Sequence, residues 1–537
     1  MRGFTSRIGV ISVAALLAMA MPLGSAIQAA SPVTYSMGDQ IVPAQMANMN
    51  PFLQTGNWPS LFRYIYNTLF YFNPVNGRLV PQLAAKGQWS DHYLKYTVTL
   101  KQGAKWQTGA PITASDVVYT YDVLKNPLAD PYGLWNSLRS VSGHGQQVTF
   151  TLKHMLLGLP AYLSTVYIVP RSAWIHAGNP VDNLNRHPVG SGPFEFVQYR
   201  PGANIVLKRN PHSVMGVPKI QYLNIIMYST AEADSLAEQK GIVANTANGI
   251  AMPAIPTLLK NPNNHLQKFP GLMNFGVFMN TKRPGLNNVD VRLAIASAID
   301  HQALITKGEL GGVFRANPGW LPSIFKQYLN RKVFSSPAYR FNLSRARNLL
   351  HKAGYKMGAN GYMQKNGHIL DFTYYEASGA PAQEKEASMI QGWLKQIGIK
   401  TQLRLATWPE LTQLASSGQY DLLQDGFVLP PDPLSAMSSM FSSAATAPLG
   451  KNTPGLNYTR YTNPKLDQIF ARIAATTDPA TLRSLYDQAQ SIIAQSAPIA
   501  LMYNVGDHMV YSTRQFVGYD TQYPLNSPYG LLSAHLK

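Results

Sequence analysis

Residues able to do covalent chemistry are few in this chain, and their spacing gives them little support. Ser323 and Lys326 stand in an S-x-x-K arrangement, in which a lysine amine can take the proton of a serine nucleophile. The S-D-N and K-T-G segments that complete such a site in penicillin-binding enzymes are missing. Gly190-Ser191-Gly192 lacks the flanking spacing of a G-x-S-x-G nucleophile elbow and reads as a tight glycine turn. Neither a Walker A loop nor a G-x-G-x-x-G fingerprint is found. The 12 histidines are dispersed, with no H-E-x-x-H and no close grouping with carboxylates, so no metal site is legible. Zero cysteines exclude thiolate metal sites, disulfides, a cysteine nucleophile and a lipid-modified cysteine. The chain reads as a binder, not an enzyme, with no cofactor and no metal.

At 537 residues it exceeds what one hydrophobic core holds, and about 150 residues per domain predicts three or four lobes. With 45% apolar and 13% charged residues it is too apolar for a disordered chain and too mixed for a polytopic membrane protein. Lys+Arg total 45 against 26 Asp+Glu, a net charge of +19 that comes from scarce acids and not from basic blocks. Scattered cations without a patch or a recognisable module argue against nucleic acid as a partner. At the N-terminus, Arg2 and Arg7 precede an apolar run from Ile8 to Met21 and small residues from Gly24 to Ala30. This is the pattern of a signal peptide over residues 1–30, cleaved between Ala26 and Ala30. The run is shorter than the roughly 20 residues of a spanning helix. A periplasmic or secreted protein is expected.

Strands and helices must position whatever site exists. Leu94, Tyr96, Val98 and Leu100 alternate with polar residues, as do Val148, Phe150 and Leu152, the period of half-buried strands. Thr113 and Asp116 form a capping-box pair ahead of Val117, Tyr121 and Leu124 at helical spacing. Ala387, Ile390, Leu394 and Ile397 line a helix ending at Gly398, and Ile399, Thr401, Leu403 and Leu405 read as the next strand. Asp478-Pro479 opens a helix whose core face runs Leu482, Leu485, Tyr486, Ala489, Ile492 and Ile493. Trp89 and Trp106 are expected to plug the core between a sheet and the Thr113 helix. The fold class is α/β with several lobes.

Several ordered motifs resemble those of the family 5 extracytoplasmic solute-binding proteins, the peptide- and nickel-type receptors of ABC importers. They are Ala84-Ala85-Lys86 through Trp89-Ser90, then Gly103-Ala104-Lys105-Trp106 and Gly109 through Tyr119. Pro188-Val189-Gly190-Ser191-Gly192-Pro193-Phe194 follows, ending in Arg209-Asn210-Pro211. Asn280-Thr281 through Asp300, Tyr420-Asp421 through Pro433, and Tyr461-Thr462-Asn463-Pro464 complete the order. The resemblance implies a two-lobed periplasmic-binding-protein fold of type II, cluster C-like, with an additional domain and a cleft closed about a hinge. It divides the chain into lobe 1 (31–67, 189–279 and 505–537), the additional domain (68–188) and lobe 2 (280–504). It implies a monomer that captures di- or oligopeptides and delivers them to membrane permease subunits. A receptor for an oligosaccharide or a metal chelate is the alternative, and a secreted serine hydrolase on Ser323/Lys326 is the alternative of another class.

The same resemblance supplies candidate substrate-binding residues. Asn48 and Asn50 lie on the first cleft-lining segment, where relatives often carry an acid. Trp58 could stack on a ligand, and Tyr503 and Asn504 match the last crossing strand. In the loop Asp425-Gly426-Phe427-Val428-Leu429-Pro430-Pro431-Asp432-Pro433, peptide-binding relatives place an Asp that pairs with the ligand's ammonium. Here that position is apolar or Pro, Phe427 replaces Trp, and Asp425 and Asp432 flank it. An acid-poor cleft is therefore expected.

Overall fold

The protein is described here from a computed structural model covering residues 32–40, 48–53, 59–130, 132–247, 250–336 and 339–537. The expected signal peptide and Trp58 lie outside the described residues.

The chain begins with β1 (Thr34–Gln40) and the short helix α1 (Pro59–Ile65), followed by a hairpin of β2 (Phe70–Asn73) and β3 (Arg78–Pro81). A second unit holds β4 (Ala84–Ser90), β5 (Lys95–Leu100), α2 (Ala114–Val123), β6 (Leu138–His144) and β7 (Gln147–Leu152). Its four strands pair antiparallel in the order β4-β5-β7-β6. The expected capping box opens α2: Asp116 accepts from the Thr113 backbone N–H and hydroxyl, each at 2.9 Å. Trp106 is buried as expected, whereas Trp89 packs at the margin against Tyr96.

Three strands follow, β8 (Phe194–Arg200), β9 (Asn204–Arg209) and β10 (Tyr222–Tyr228). They join β1 in a sheet ordered β1-β10-β9-β8, in which β1 and β10 run parallel. The chain then enters the 16-residue strand β11 (Asn264–Met279) and, further on, β12 (Val313–Phe314). A small sheet of β13 (Lys356–Met357), β14 (Met363–Lys365) and β15 (His368–Ile369) precedes β16 (Asp371–Ala377), β17 (Lys400–Ala406), β18 (Leu422–Val428) and the 14-residue β19 (Ile499–Ser512). The six-stranded sheet reads β12-β19-β11-β18-β16-β17 and mixes parallel with antiparallel pairs.

Period-2 alternation explains how this sheet holds two cores. Phe275, Val277 and Met279 face one apolar layer beside the helices at Val289–Ala298 and Pro381–Gln396. Phe278 faces the other, with Met440, Phe470 and Leu485 from the helices behind it. The helix read from Asp478 spans Pro479–Ser496, and Asp478 accepts from the Thr481 N–H at 2.7 Å.

β11 and β19 outrun the sheet that contains them. They pair from Phe278↔Ile499 to Asn264↔Ser512, and the far half meets the first sheet through Asn245↔Tyr511 and Gly38↔Thr246. The register breaks between Pro270 and Met273. No helix among the described residues is long and apolar enough to cross a membrane.

Candidate functional site

A cavity of about 270 Å3 with a partly polar lining lies where the crossing strands meet α1 and the β2–β3 hairpin. Arg63, Tyr66, Tyr71 and Tyr167 line one side, and Leu272, Pro431 and Asp507 the other. A second, more apolar cavity of about 220 Å3 lies between Leu79, Leu156, Leu157 and Pro160 and the opposing Phe325, Tyr328, Leu482 and Tyr486. Phe72 and Pro431 border both cavities.

The glycine turn at 190–192 shapes the first wall. The Gly192 N–H donates to the Ile65 carbonyl at 2.8 Å, and Asn67 Nδ2 donates to the Ser191 carbonyl at 2.8 Å. A Cβ at Gly190 would lie 1.9 Å from the Ile65 carbonyl oxygen, so only glycine permits this approach. The turn thus clamps the end of α1, whose last turn carries Arg63. Arg63 Nη1 donates to the Asn526 carbonyl (3.2 Å) and Oδ1 (3.3 Å), and no hydrogen bond engages Nε or Nη2 among the described residues.

The opposing acid comes from β19. Asp507 pairs with Phe269 across the ladder beside Gly506, where a Cβ would sit 2.2 Å from the Phe269 carbonyl oxygen. Its side chain reaches solvent although protein surrounds it, and its carboxylate has no hydrogen bond among the described residues. Burial pushes the Asp507 carboxyl upward, and the Arg63 charge pulls it back in part. The tyrosine hydroxyls stay neutral: burial raises Tyr66 and Tyr167, and lifts Tyr71 to about 12.

Of the residues chosen from sequence, Asp432 lines the apolar cavity. It is buried, caps the helix Pro433–Phe441 by accepting from the Ser435 N–H at 2.8 Å, and presses on Gly158 across the seam. Asn48 accepts from the Asn50 N–H at 2.9 Å, and Asn50 Nδ2 donates to the carbonyls of Pro180 and Asn183. These two shape the chain entering the cleft and line neither cavity. Asp425 accepts from its own neighbour's N–H, that of Gly426, at 2.7 Å, and burial raises its carboxyl to about 7. Phe427 packs on Phe278 and Tyr458 inside the second apolar layer.

Tyr503 and Asn504 belong to the crossing strands. The Tyr503 ring stacks on Phe275 with centroids 5.4 Å apart, and its hydroxyl lies 2.7 Å from Glu386 Oε2 and 3.2 Å from Glu309 Oε1. A phenol has one proton, so it cannot donate to both carboxyls at once. Burial raises Glu386 to about 8, which supplies the second proton at neutral pH, and it raises Glu309 as well. Asn504 bonds to Gly271, Met273 and Asn274 at 2.8 to 3.2 Å, bridging the register break. Replacing it, Asn504→Ala, is expected to lower unfolding free energy by about 2 kcal/mol, because buried backbone groups lose their partners. Urea unfolding checks this, and an unchanged midpoint would contradict it.

Arg63 and Asp507, which line the first cavity, were not singled out by the sequence reading. Ser323 sits in a turn with Lys326 exposed, and no hydrogen bond joins them among the described residues. No group of three or more His, Asp or Glu among the described residues is placed to hold a metal ion.

Known proteins share the fold. The profile of "Bacterial extracellular solute-binding proteins, family 5 Middle" matches residues 78–448. The oligopeptide-binding protein AppA of Bacillus subtilis is 26% identical over 482 residues, covering 84% of this chain and 85% of the relative. Among solved structures, an oligopeptide ABC transporter periplasmic oligopeptide-binding protein of Thermotoga maritima superposes with a TM-score of 0.80 at 20% identity, covering 94% of this chain and 99% of that one. NikZ of Campylobacter jejuni, solved with Ni(L-His), superposes at 0.72 with 19% identity, covering 93% and 99%. The chain belongs to the family 5 bacterial extracellular solute-binding proteins and has their two-lobed α/β fold of type II. It is an extracytoplasmic solute receptor of an ABC importer, working with membrane permease subunits.

Proposed function

We propose that this receptor captures peptides in the cleft between its lobes and hands them to the permease by closing and reopening. The observation that carries this reading is the pair of adjoining cavities, whose walls come from both sides of the crossing strands. A ligand there touches both sides only when they are together, so its binding free energy selects the closed state. The sheets support the lobe division: β4–β7 fall within 68–188, β8–β10 within 189–279 and β16–β18 within 280–504. The hinge in this reading is the register break braced by Asn504.

A polar, tyrosine-lined chamber opening onto an apolar one suits a backbone bearing side chains of mixed character. Tyrosine hydroxyls and the Asn526 carbonyl offer hydrogen bonds to peptide groups, while Leu156, Phe325 and Tyr486 receive apolar side chains. Export by the residue 1–30 segment would place the mature receptor outside the cytoplasm, where peptides are captured.

Titrating the mature protein with an equimolar tripeptide library, with a mannose oligosaccharide and with nickel–histidine tests the assignment. Thermal stabilisation by the peptides and not by the others is expected. Stabilisation by the saccharide or the chelate without a peptide response would overturn it.

A further inference from the structure

Cations that are scattered along the sequence gather in space on one side of the Pro479–Ser496 helix. Arg331, Lys332, Lys465 and Arg483 line a surface groove of about 540 Å3, and Asp487 is its single acid among the described residues. The groove is held in shape from below. Asn330 is buried and pins the turn Arg331–Phe334 to the helix: its Nδ2 donates to the Asp487 carbonyl at 2.9 Å and to Ser491 Oγ at 3.2 Å. Its Oδ1 accepts the N–H groups of Lys332 at 3.1 Å and Val333 at 3.2 Å. Arg483 Nη1 donates to the Gln327 carbonyl at 2.7 Å, and Lys465 stands in the first turn of the helix Pro464–Ala474.

The surroundings carry the same sign. Between Glu309 and Asp371 the chain has ten Lys and Arg and no Asp or Glu, more than half of its net charge of +19. This stretch supplies Arg331 and Lys332, then the helix Leu343–Lys352 and the β13–β15 sheet. The Tyr339 hydroxyl donates to the Ala494 carbonyl, next to Gln495 on the groove wall, so the stretch continues outward from the groove. Arg340, Lys356 and Lys365 are exposed along it, and Asp290 neutralises Lys352 at 3.0 Å. Each exposed cation by itself is well solvated and calls for no partner. The summed field of many charges of one sign is what draws an anionic surface.

We propose that this face docks on an anionic phospholipid bilayer, the groove taking lipid phosphates and the outlying cations lying along the headgroups. This is independent of which solute the receptor carries. A bilayer matches the extent of the face, because the cations continue over a helix and a small sheet where one free phosphate would reach the groove alone. With no cysteine for lipid attachment, charge would keep the receptor beside the permease it serves and raise its local concentration there.

The test is cosedimentation of the mature protein with vesicles of phosphatidylcholine alone and of phosphatidylcholine with about one-third phosphatidylglycerol. Partitioning onto the anionic vesicles is expected to exceed that onto neutral ones roughly 10- to 100-fold, and to fade as salt shortens the screening length to about 3 Å near 1 M. Reversing three exposed groove charges together, Arg331→Glu, Lys332→Glu and Lys465→Glu, should remove most of the preference. A control with the same net charge, Lys86→Glu, Lys105→Glu and Arg139→Glu in and around the β4–β7 sheet, should keep most of it. Unfolding midpoints near the wild type confirm that both triple variants fold. Equal partitioning onto neutral and anionic vesicles, or equal loss in the two triple variants, would overturn the proposal. Displacement by inorganic phosphate well beyond that by sodium chloride of equal ionic strength would also overturn it, and would make the groove a site for a small free anion.

Discussion

Raising the pH from about 4 to about 9 is expected to weaken the fold by at least about 5 kcal/mol, the reverse of ordinary acid denaturation. Burial raises the carboxyls of Asp234 to about 8, Glu238 to about 9, and Glu376 and Glu386 to about 8 each. Asp39 adds repulsion at Asp234, which in turn adds it at Glu238. Both oxygens of Asp234 and Glu238, and one oxygen each of Glu376 and Glu386, have no hydrogen-bond partner among the described residues. In the unfolded chain these groups ionise near about 4. Between that value and 8 to 9 the folded protein holds protons that the unfolded chain releases. Their stabilising contribution is therefore complete below the unfolded pKa and is lost as pH rises through the folded values. Each tenfold gain in proton affinity is worth ~1.4 kcal/mol, so four groups reach the stated loss readily. Urea unfolding at pH 5, 7 and 9 measures it. Stability that is flat or rises with pH would contradict the expectation, whereas Asp234→Asn and Glu386→Gln should each flatten the profile.

Gly158→Ala is expected to weaken peptide binding roughly 10- to 100-fold while leaving the separate lobes folded, the scale of an overpacked contact. Gly158 stands on the wall that faces Asp432 across the apolar cavity, and its φ of −72° suits alanine. The obstacle is contact: a Cβ would lie 2.2 Å from Asp432 Oδ1 and 2.3 Å from its Cγ. Asp432 cannot turn aside cheaply, because its other oxygen accepts the Ser435 N–H and caps the Pro433–Phe441 helix. The overlap is relieved by parting the two walls, which disfavours the closed state. Calorimetry with the free tripeptide library reads the affinity, and small-angle scattering reads the accompanying expansion. Wild-type affinity would show that closure does not compress this seam.

Local structure was legible wherever local chemistry decides it. The Thr113–Asp116 capping box, the Asp478 cap and the helix faces at 387–397 and 482–493 depend on neighbours within a turn or two. The family motifs located the glycine turn at 190–192, although its task of clamping α1 becomes visible only in space. The strand read at 399–405 forms as β17 but at a sheet edge, so Leu405 is 51% exposed and the alternation is not fully used. Pro270 and Gly271 lie inside β11, and the strand continues past them through a register shift stabilised by Asn504, which no local pattern announces. Arg63 and Asp507 were not legible because nothing in sequence spacing brings a residue near the start of the chain to one near its end. Asp425 and Phe427 were chosen on loop resemblance, and they lie on β18, paired with Gly276 and Asn274 of β11.

The measurement that bears most directly on the whole account is native mass spectrometry of the mature protein, recovered without refolding from the cell that exports it. A series of bound masses matching short peptides, released together on gentle activation, is the predicted result. A single bound mass that is an oligosaccharide or a metal chelate would contradict peptide capture and make the cavity between Arg63 and Asp507 a site for another solute.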